Sequence, residues 1–123
     1  MRLALAFWLV AASAGAQELS QAKGAVLRGL DKVSGITQDL EVDTGTSVTF
    51  GRLAIDLSDC RYPANDPSSN AYAHLKIRDT LARDPAFEGW MIASSPALNA
   101  LDHPRYDVWL LRCKIAAPDG ASN

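Results

Sequence analysis

Ala71-Tyr72-Ala73-His74-Leu75-Lys76-Ile77-Arg78 alternates small or aliphatic residues with aromatic or polar ones. A period of two marks an extended chain with one buried face, because successive side chains of a strand point to opposite sides. The segment therefore predicts a half-buried strand with Ala71, Ala73, Leu75 and Ile77 inward. His74 falls on the outer face, where a solvent-facing histidine is expected rather than a metal ligand.

The same pattern continues on either side. Ile36, Leu40 and Val42 lie at even positions, as do Val48 and Phe50, but beyond Gly51 the apolar set moves to odd ones: Leu53, Ile55 and Leu57. A parity change at a glycine predicts a bulge or sharp bend, with two strands joined by a tight turn as the alternative. Downstream, Trp109, Leu111, Cys113 and Ile115 share one parity with Arg112 and Lys114 opposite, which turns Cys113 inward beside a tryptophan. Ser34-Gly35, Asp43-Thr44-Gly45 and the Pro63 to Asn70 stretch read as turns. Ser95 before Pro96 reads as a helix cap opening one or two turns through Leu101, and Asp79 to Arg83 as a short helix or an extended connection. Residues 17–24 read as a loose polar lead-in. The expected class is all-β for most of its length: a small, mostly antiparallel sandwich or barrel with one or two short helical turns.

At 123 residues the chain has room for one domain. Twelve basic against 14 acidic groups give a formal charge of −2, without the basic excess of a nucleic-acid binder, and 48% hydrophobic residues argue against disorder. Arg2, the apolar run from Leu3 to Ala12, and Ala14-Gly15-Ala16 match a secretory signal, with Ala14 and Ala16 at the positions a signal peptidase reads. The apolar run is half the roughly 20 residues that a membrane-spanning helix needs. Cleavage after Ala16 removes Arg2 and leaves 11 basic against 14 acidic groups. The expected map is a signal peptide at 1–16, one β-rich domain at 25–117 and a frayed tail at 118–123. The mature chain is expected to be soluble, not membrane-spanning, and periplasmic.

Cys60 and Cys113 are the two cysteines. An even count in an exported chain, with no Cys-x-x-Cys, reads as a structural disulfide. Closing a loop of that length stabilises a fold by about 4 kcal/mol in the chain-entropy model. Two cysteines are too few for a structural zinc site unless histidines join, and His74 and His103 are the two present; with the cysteines read as a disulfide, neither a metal nor a cofactor is expected.

No nucleophile elbow, Ser-x-x-Lys, His-Glu-x-x-His or phosphate-binding glycine loop occurs, and no catalytic residue is assigned. The polar run Asp102-His103-Pro104-Arg105-Tyr106-Asp107 admits two accounts. His103 between aspartates suits a general base or metal ligand; alternatively Asp102 and His103 satisfy backbone groups at a helix end that Pro104 stops. Phe87-Glu88-Gly89-Trp90-Met91, with Tyr106 and Trp109, concentrates large apolar side chains. Met91 and Trp109 are expected in the core. Trp90 and Tyr106, joined by His103 and Asp107, form the candidate binding surface.

Gly89 to Leu101, followed by His103-Pro104 and Tyr106-Asp107-Val108-Trp109, resembles the signature of a bacterial family, domain of unknown function 2155 (DUF2155), found largely in alphaproteobacteria. Leu30-Asp31-Lys32, Phe50-Gly51 with Leu53 and Ile55, and both cysteines resemble its pattern too. The likeness runs over about residues 25–115. Asp102 stands where the pattern has glutamate, and Arg105 where it has an aliphatic residue. The resemblance implies no catalytic residue. The family's genes are similar in setting to those of an accessory subunit of respiratory complex I, which implies a partner in the envelope, a respiratory complex among the candidates.

Three functions are thus expected in descending order. The first is a non-enzymatic periplasmic module that binds or stabilises an envelope protein. The second is a binder of glycan or small molecule through the aromatic patch, and the third a hydrolase or metal enzyme centred on His103.

Overall fold

The computed structural model describes residues 18–115 and, within the N-terminal segment, positions 3, 4, 6 and 8. The expected cleavage site at Ala14 and Ala16 and the tail at 118–123 lie outside the described residues. Eight strands follow in chain order: β1 (Leu19–Gln21), β2 (Gly24–Asp31), β3 (Thr37–Asp43), β4 (Thr46–Phe50), β5 (Leu53–Pro63), β6 (Tyr72–Asp79), β7 (Phe87–Ile92) and β8 (Tyr106–Lys114). They form two antiparallel sheets in a sandwich-like arrangement. One has the order β1-β5-β6-β7, with β4 also paired to β5; the other is β3-β2-β8. The fold is all-β.

β6 alternates as its sequence demands: Ala73, Leu75 and Ile77 are fully buried, and Tyr72, His74 and Lys76 are partly open. Leu53, Ile55 and Leu57 of β5 face them across the ladder and inward. Leu27 and Leu110 close the core from the opposite sheet. Gly29 keeps β2 low enough for Phe50, since a Cβ there would stand 2.8 Å from the Phe50 ring. Cys60 of β5 and Cys113 of β8 stand at disulfide distance, joining the two sheets.

Several expectations are corrected. Of the two readings at Gly51 the tight turn holds: it is a two-residue hairpin turn between β4 and β5, with Phe50 opposite Leu53 and Gly51 at φ 56°, a conformation glycine adopts without a Cβ penalty. The bulge in this sheet lies instead at Ser58, which has no partner between the Leu57–Leu75 and Asp59–His74 pairs. A second bulge at Leu111 reverses the parity of β8. Val108 and Leu110 therefore face inward, Trp109 faces out rather than into the core, and Cys113 turns inward beyond the bulge.

The lead-in is not loose, because β1 pairs with the end of β5 and Ala22 N–H donates to the Cys60 carbonyl at 2.7 Å. Ile36 sits in the β2–β3 turn, 63% exposed. Neither expected helix forms. Asp79 to Arg83 is a turn, and after Ser95 a single turn closes by Leu98 N–H to the Ser95 carbonyl. Leu101 and His103 are both buried with Asp102 exposed between them. Only an extended chain serves that burial, and it overrides the local helix signal.

Candidate functional site

Trp90 lies on the outer face of the five-stranded sheet, 40% exposed. The register sets His74 opposite it, and sets both Ile92 and Arg61 opposite Tyr72. Leu19 enters from β1. Together Leu19, Arg61, Tyr72, Trp90 and Ile92 line a shallow cleft of about 200 Å³. The Arg61 guanidinium lies 5.9 Å from the Trp90 ring centroid and is held by its Nε bond to Asp59 Oδ2 at 2.7 Å. The His74 ring meets Trp90 edge to face at 5.2 Å, and its Nδ1 is 2.6 Å from Ser58 Oγ. Asn99 Nδ2 donates to the Trp90 carbonyl at 2.9 Å, and Asn70 Nδ2 to the Tyr72 hydroxyl at 3.2 Å. The cleft is thus fixed from below and from the side.

Tyr106 and His103 are not on that surface. Tyr106 is 3% exposed and His103 8%, their rings 5.2 Å apart in a buried corner at one end of the sandwich. The expected partnership of Trp90 with Tyr106 therefore dissolves, because Tyr106 has the inward parity of β8. His103 Nδ1 accepts the N–H groups of Arg105 and Tyr106 at 3.0 and 3.2 Å. Its ring proton consequently resides on Nε2 and points at Asp79 Oδ2, 2.9 Å away. Arg52 Nη2 approaches the same oxygen at 3.4 Å, and Leu81 N–H donates to Asp79 Oδ1 at 2.9 Å. The Leu81 bond above all, with those from His103 and Arg52, lowers the Asp79 pKa to about 2 against the opposing effect of burial.

Neighbouring contacts complete the corner. Lys32 Nζ donates to the His103 carbonyl at 2.6 Å, and Arg105 pairs with Asp31 at 3.1 Å. That hydrogen-bonded guanidinium, aided by the Val33 and Ser34 N–H groups, holds Asp31 at about 2 as well. The Tyr106 hydroxyl accepts Arg52 N–H at 3.3 Å and sits where a Cβ on Gly51 would approach to 2.5 Å. Both nitrogens of His103 are engaged in tying the corner together, which suits a positioning group rather than a proton carrier. Among the described residues, no three His, Cys, Asp or Glu side chains are grouped to hold a metal ion.

Asp107 stands apart from both places. It is half-exposed, 3.8 Å from Lys32, and lines a hollow of about 290 Å³ with Trp109, Val108 and the 96–101 segment. Trp90 is thus the one candidate that the fold places at a cleft with other aromatic and basic side chains. Arg61, Tyr72, Leu19 and Ile92 escaped the sequence reading, although the alternation of β6 already turned Tyr72 outward.

A family described as "Uncharacterized protein conserved in bacteria (DUF2155)" matches residues 25–113. The chain belongs to DUF2155. It is similar to "Uncharacterized protein RP359" of Rickettsia prowazekii (strain Madrid E), at 26% identity over 87 residues. The likeness covers 68% of this chain and 56% of the Rickettsia protein, so the chain spans little more than half its relative's length. No solved structure matches. The DUF2155 match encloses both cysteines, the Asp79–His103 corner and Trp90, while Leu19 at the cleft's edge lies ahead of it.

Proposed function

We propose that this DUF2155 protein is an exported, periplasmic, non-enzymatic docking module, and that the Trp90 cleft receives an apolar side chain of another envelope protein. A membrane-bound respiratory complex is the partner class favoured by the family resemblance. The cleft is the observation that carries the reading. Binding energy at protein interfaces concentrates in Trp, Tyr and Arg set around well-packed pockets. Trp90, Tyr72 and Arg61 surround an apolar hollow of about 200 Å³, a volume suited to one aliphatic or aromatic side chain. Export is supported by the N-terminal apolar run with Ala14 and Ala16, and by the disulfide-distance pair, which belongs to an oxidising compartment.

The exposed Trp90 ring also favours a second reading, a glycan site. Sugars demand several polar partners, whereas Arg61 is the single charged residue lining this cleft, so the protein partner ranks first. The test is to tag the chain, crosslink intact cells and identify what co-purifies. One reproducible envelope protein, recovered with the native chain and lost with Trp90→Ala, is expected. Recovery of monomer alone contradicts the reading, and saturable quenching of tryptophan fluorescence by peptidoglycan fragments replaces it with the glycan site.

A further inference from the structure

The five-stranded sheet carries a second concavity at the end where β6 turns toward β7. It measures about 350 Å³ and is lined by Ala54, Arg78, Asp79, Thr80, Ala82 and Arg83. Its room comes from short side chains: Ala54, directly opposite Arg78 in the ladder, and Ala82. The rim is held firmly. Leu81 N–H donates to Asp79 Oδ1 at 2.9 Å, Ala82 N–H to the Asp79 carbonyl at 3.0 Å, and Thr80 N–H to the Arg52 carbonyl at 2.9 Å. The Asp79 carboxylate is compensated from within the fold by Leu81, His103 and Arg52.

The cations of this rim are lightly engaged. Arg28, Arg52, Arg61 and Arg105 each have a carboxylate oxygen within 3.4 Å. Arg78 donates to Asp56 at 3.5 Å with its side chain 51% exposed, and Arg83, like Lys23, Lys76 and Arg112, has no carboxylate partner among the described residues. Two guanidinium groups with donors to spare therefore border a polar hollow with a threonine hydroxyl between them in sequence.

We propose that this hollow binds a phosphate group, with Arg78 and Arg83 as charged donors and the Thr80 hydroxyl as the third. A terminal phosphate presents three strong acceptor oxygens, enough for all three side chains, where a carboxylate presents two. The chain as a whole is acidic, so the attraction is local and acts within about a Debye length, roughly 8 Å at physiological salt. The site is independent of the Trp90 cleft, lying four residues farther along β6 than the His74–Trp90 pair. Free phosphate and the phosphomonoester headgroup of phosphatidic acid share this chemistry.

The experiment titrates the labelled full chain with inorganic phosphate, against chloride at matched ionic strength, following backbone amide shifts. It is paired with flotation on vesicles of phosphatidic acid or phosphatidylcholine. Saturable shifts at Thr80, Ala82 and Arg83 are expected, weakened about tenfold by Arg83→Gln and unaffected by Trp90→Ala. Arg83 is exposed, so the variant keeps the native melting temperature. Flotation on phosphatidic acid alone, lost in Arg83→Gln, assigns the group to a lipid headgroup; shifts without flotation assign it to a soluble phosphate. Shifts that chloride reproduces with no flotation, or a response that Arg83→Gln retains, overturn the proposal.

Discussion

His103 Nε2 and Asp79 Oδ2 meet at 2.9 Å across 24 residues of chain, and through them the start of β8 is pinned to the end of β6. Replacing the ring leaves two backbone N–H groups and a carboxylate oxygen short of a partner in a buried corner. Each unmade bond of that kind costs about 1–3 kcal/mol. His103→Ala is therefore expected to lower the unfolding free energy by about 3 kcal/mol and the melting temperature by on the order of 10–20 °C. Urea and thermal melts check this, and an unchanged melt would show that the corner is not held by the ring.

Acid should weaken the fold within a defined window. The Asp79 and Asp31 pKa values are about 2 in the folded chain, against an ordinary 3.8. A folded pKa below the unfolded one means that the unfolded chain takes up protons first as pH falls. The stabilisation is thus complete above about pH 4 and drains away between about 4 and 2. Urea denaturation at stepped pH measures the slope. Asp79→Asn and Asp31→Asn should each remove part of it, and slopes equal to that of the native chain contradict the assignment.

Gly51 is the third test. A side chain there meets both the positive φ and the Tyr106 hydroxyl, the latter at 2.5 Å from the first carbon. Gly51→Ala is expected to cost about 2–4 kcal/mol, more than the turn conformation alone explains, because the ring has no room to retreat past Phe50. The variant Gly51→Ala combined with Tyr106→Phe isolates the hydroxyl's share of the clash, leaving the ring carbons at 2.8 and 2.9 Å in place: partial recovery in a chemical melt is the expected outcome, and none would show that the hydroxyl carries no part of the cost.

Much of this architecture was legible in the sequence. The alternation of β6 and of Leu53 to Leu57 stated which faces are buried, since a period of two has one structural meaning. β8 misled because one unpaired residue, Leu111, reverses parity, and nothing in Trp109-Leu110-Leu111 marks where an extra residue sits. Ser95-Pro96 carried a true local signal that the burial of Leu101 and His103 outweighed. The corner was half visible: His103 was singled out, and its backbone-satisfying role was one of two accounts. Asp79 and Arg52 were beyond reach, because only the folded topology brings positions 52, 79 and 103 together. For the cleft, Trp90 was found and Tyr106 was wrongly joined to it, as neighbours in a motif need not share a face.

The sulfur pair gives a fourth prediction. Cys60 and Cys113 span 53 residues, and a loop of that size contributes about 4 kcal/mol when closed. Intact-mass measurement of the protein taken from cells should show a mass two hydrogens below that of the dithiol. The Cys60→Ala, Cys113→Ala double variant should unfold at a markedly lower urea concentration. Free thiols in the isolated native protein would contradict both this and export.

The most direct measurement concerns Trp90. A photo-crosslinking residue placed at Ile92, beside the cleft, is compared in living cells with one placed at Glu41 on the opposite sheet. The account predicts one discrete crosslinked envelope protein from position 92, absent from position 41 and abolished when Trp90→Ala is added. Equal labelling from both positions, or a position-92 product that survives Trp90→Ala, would contradict it.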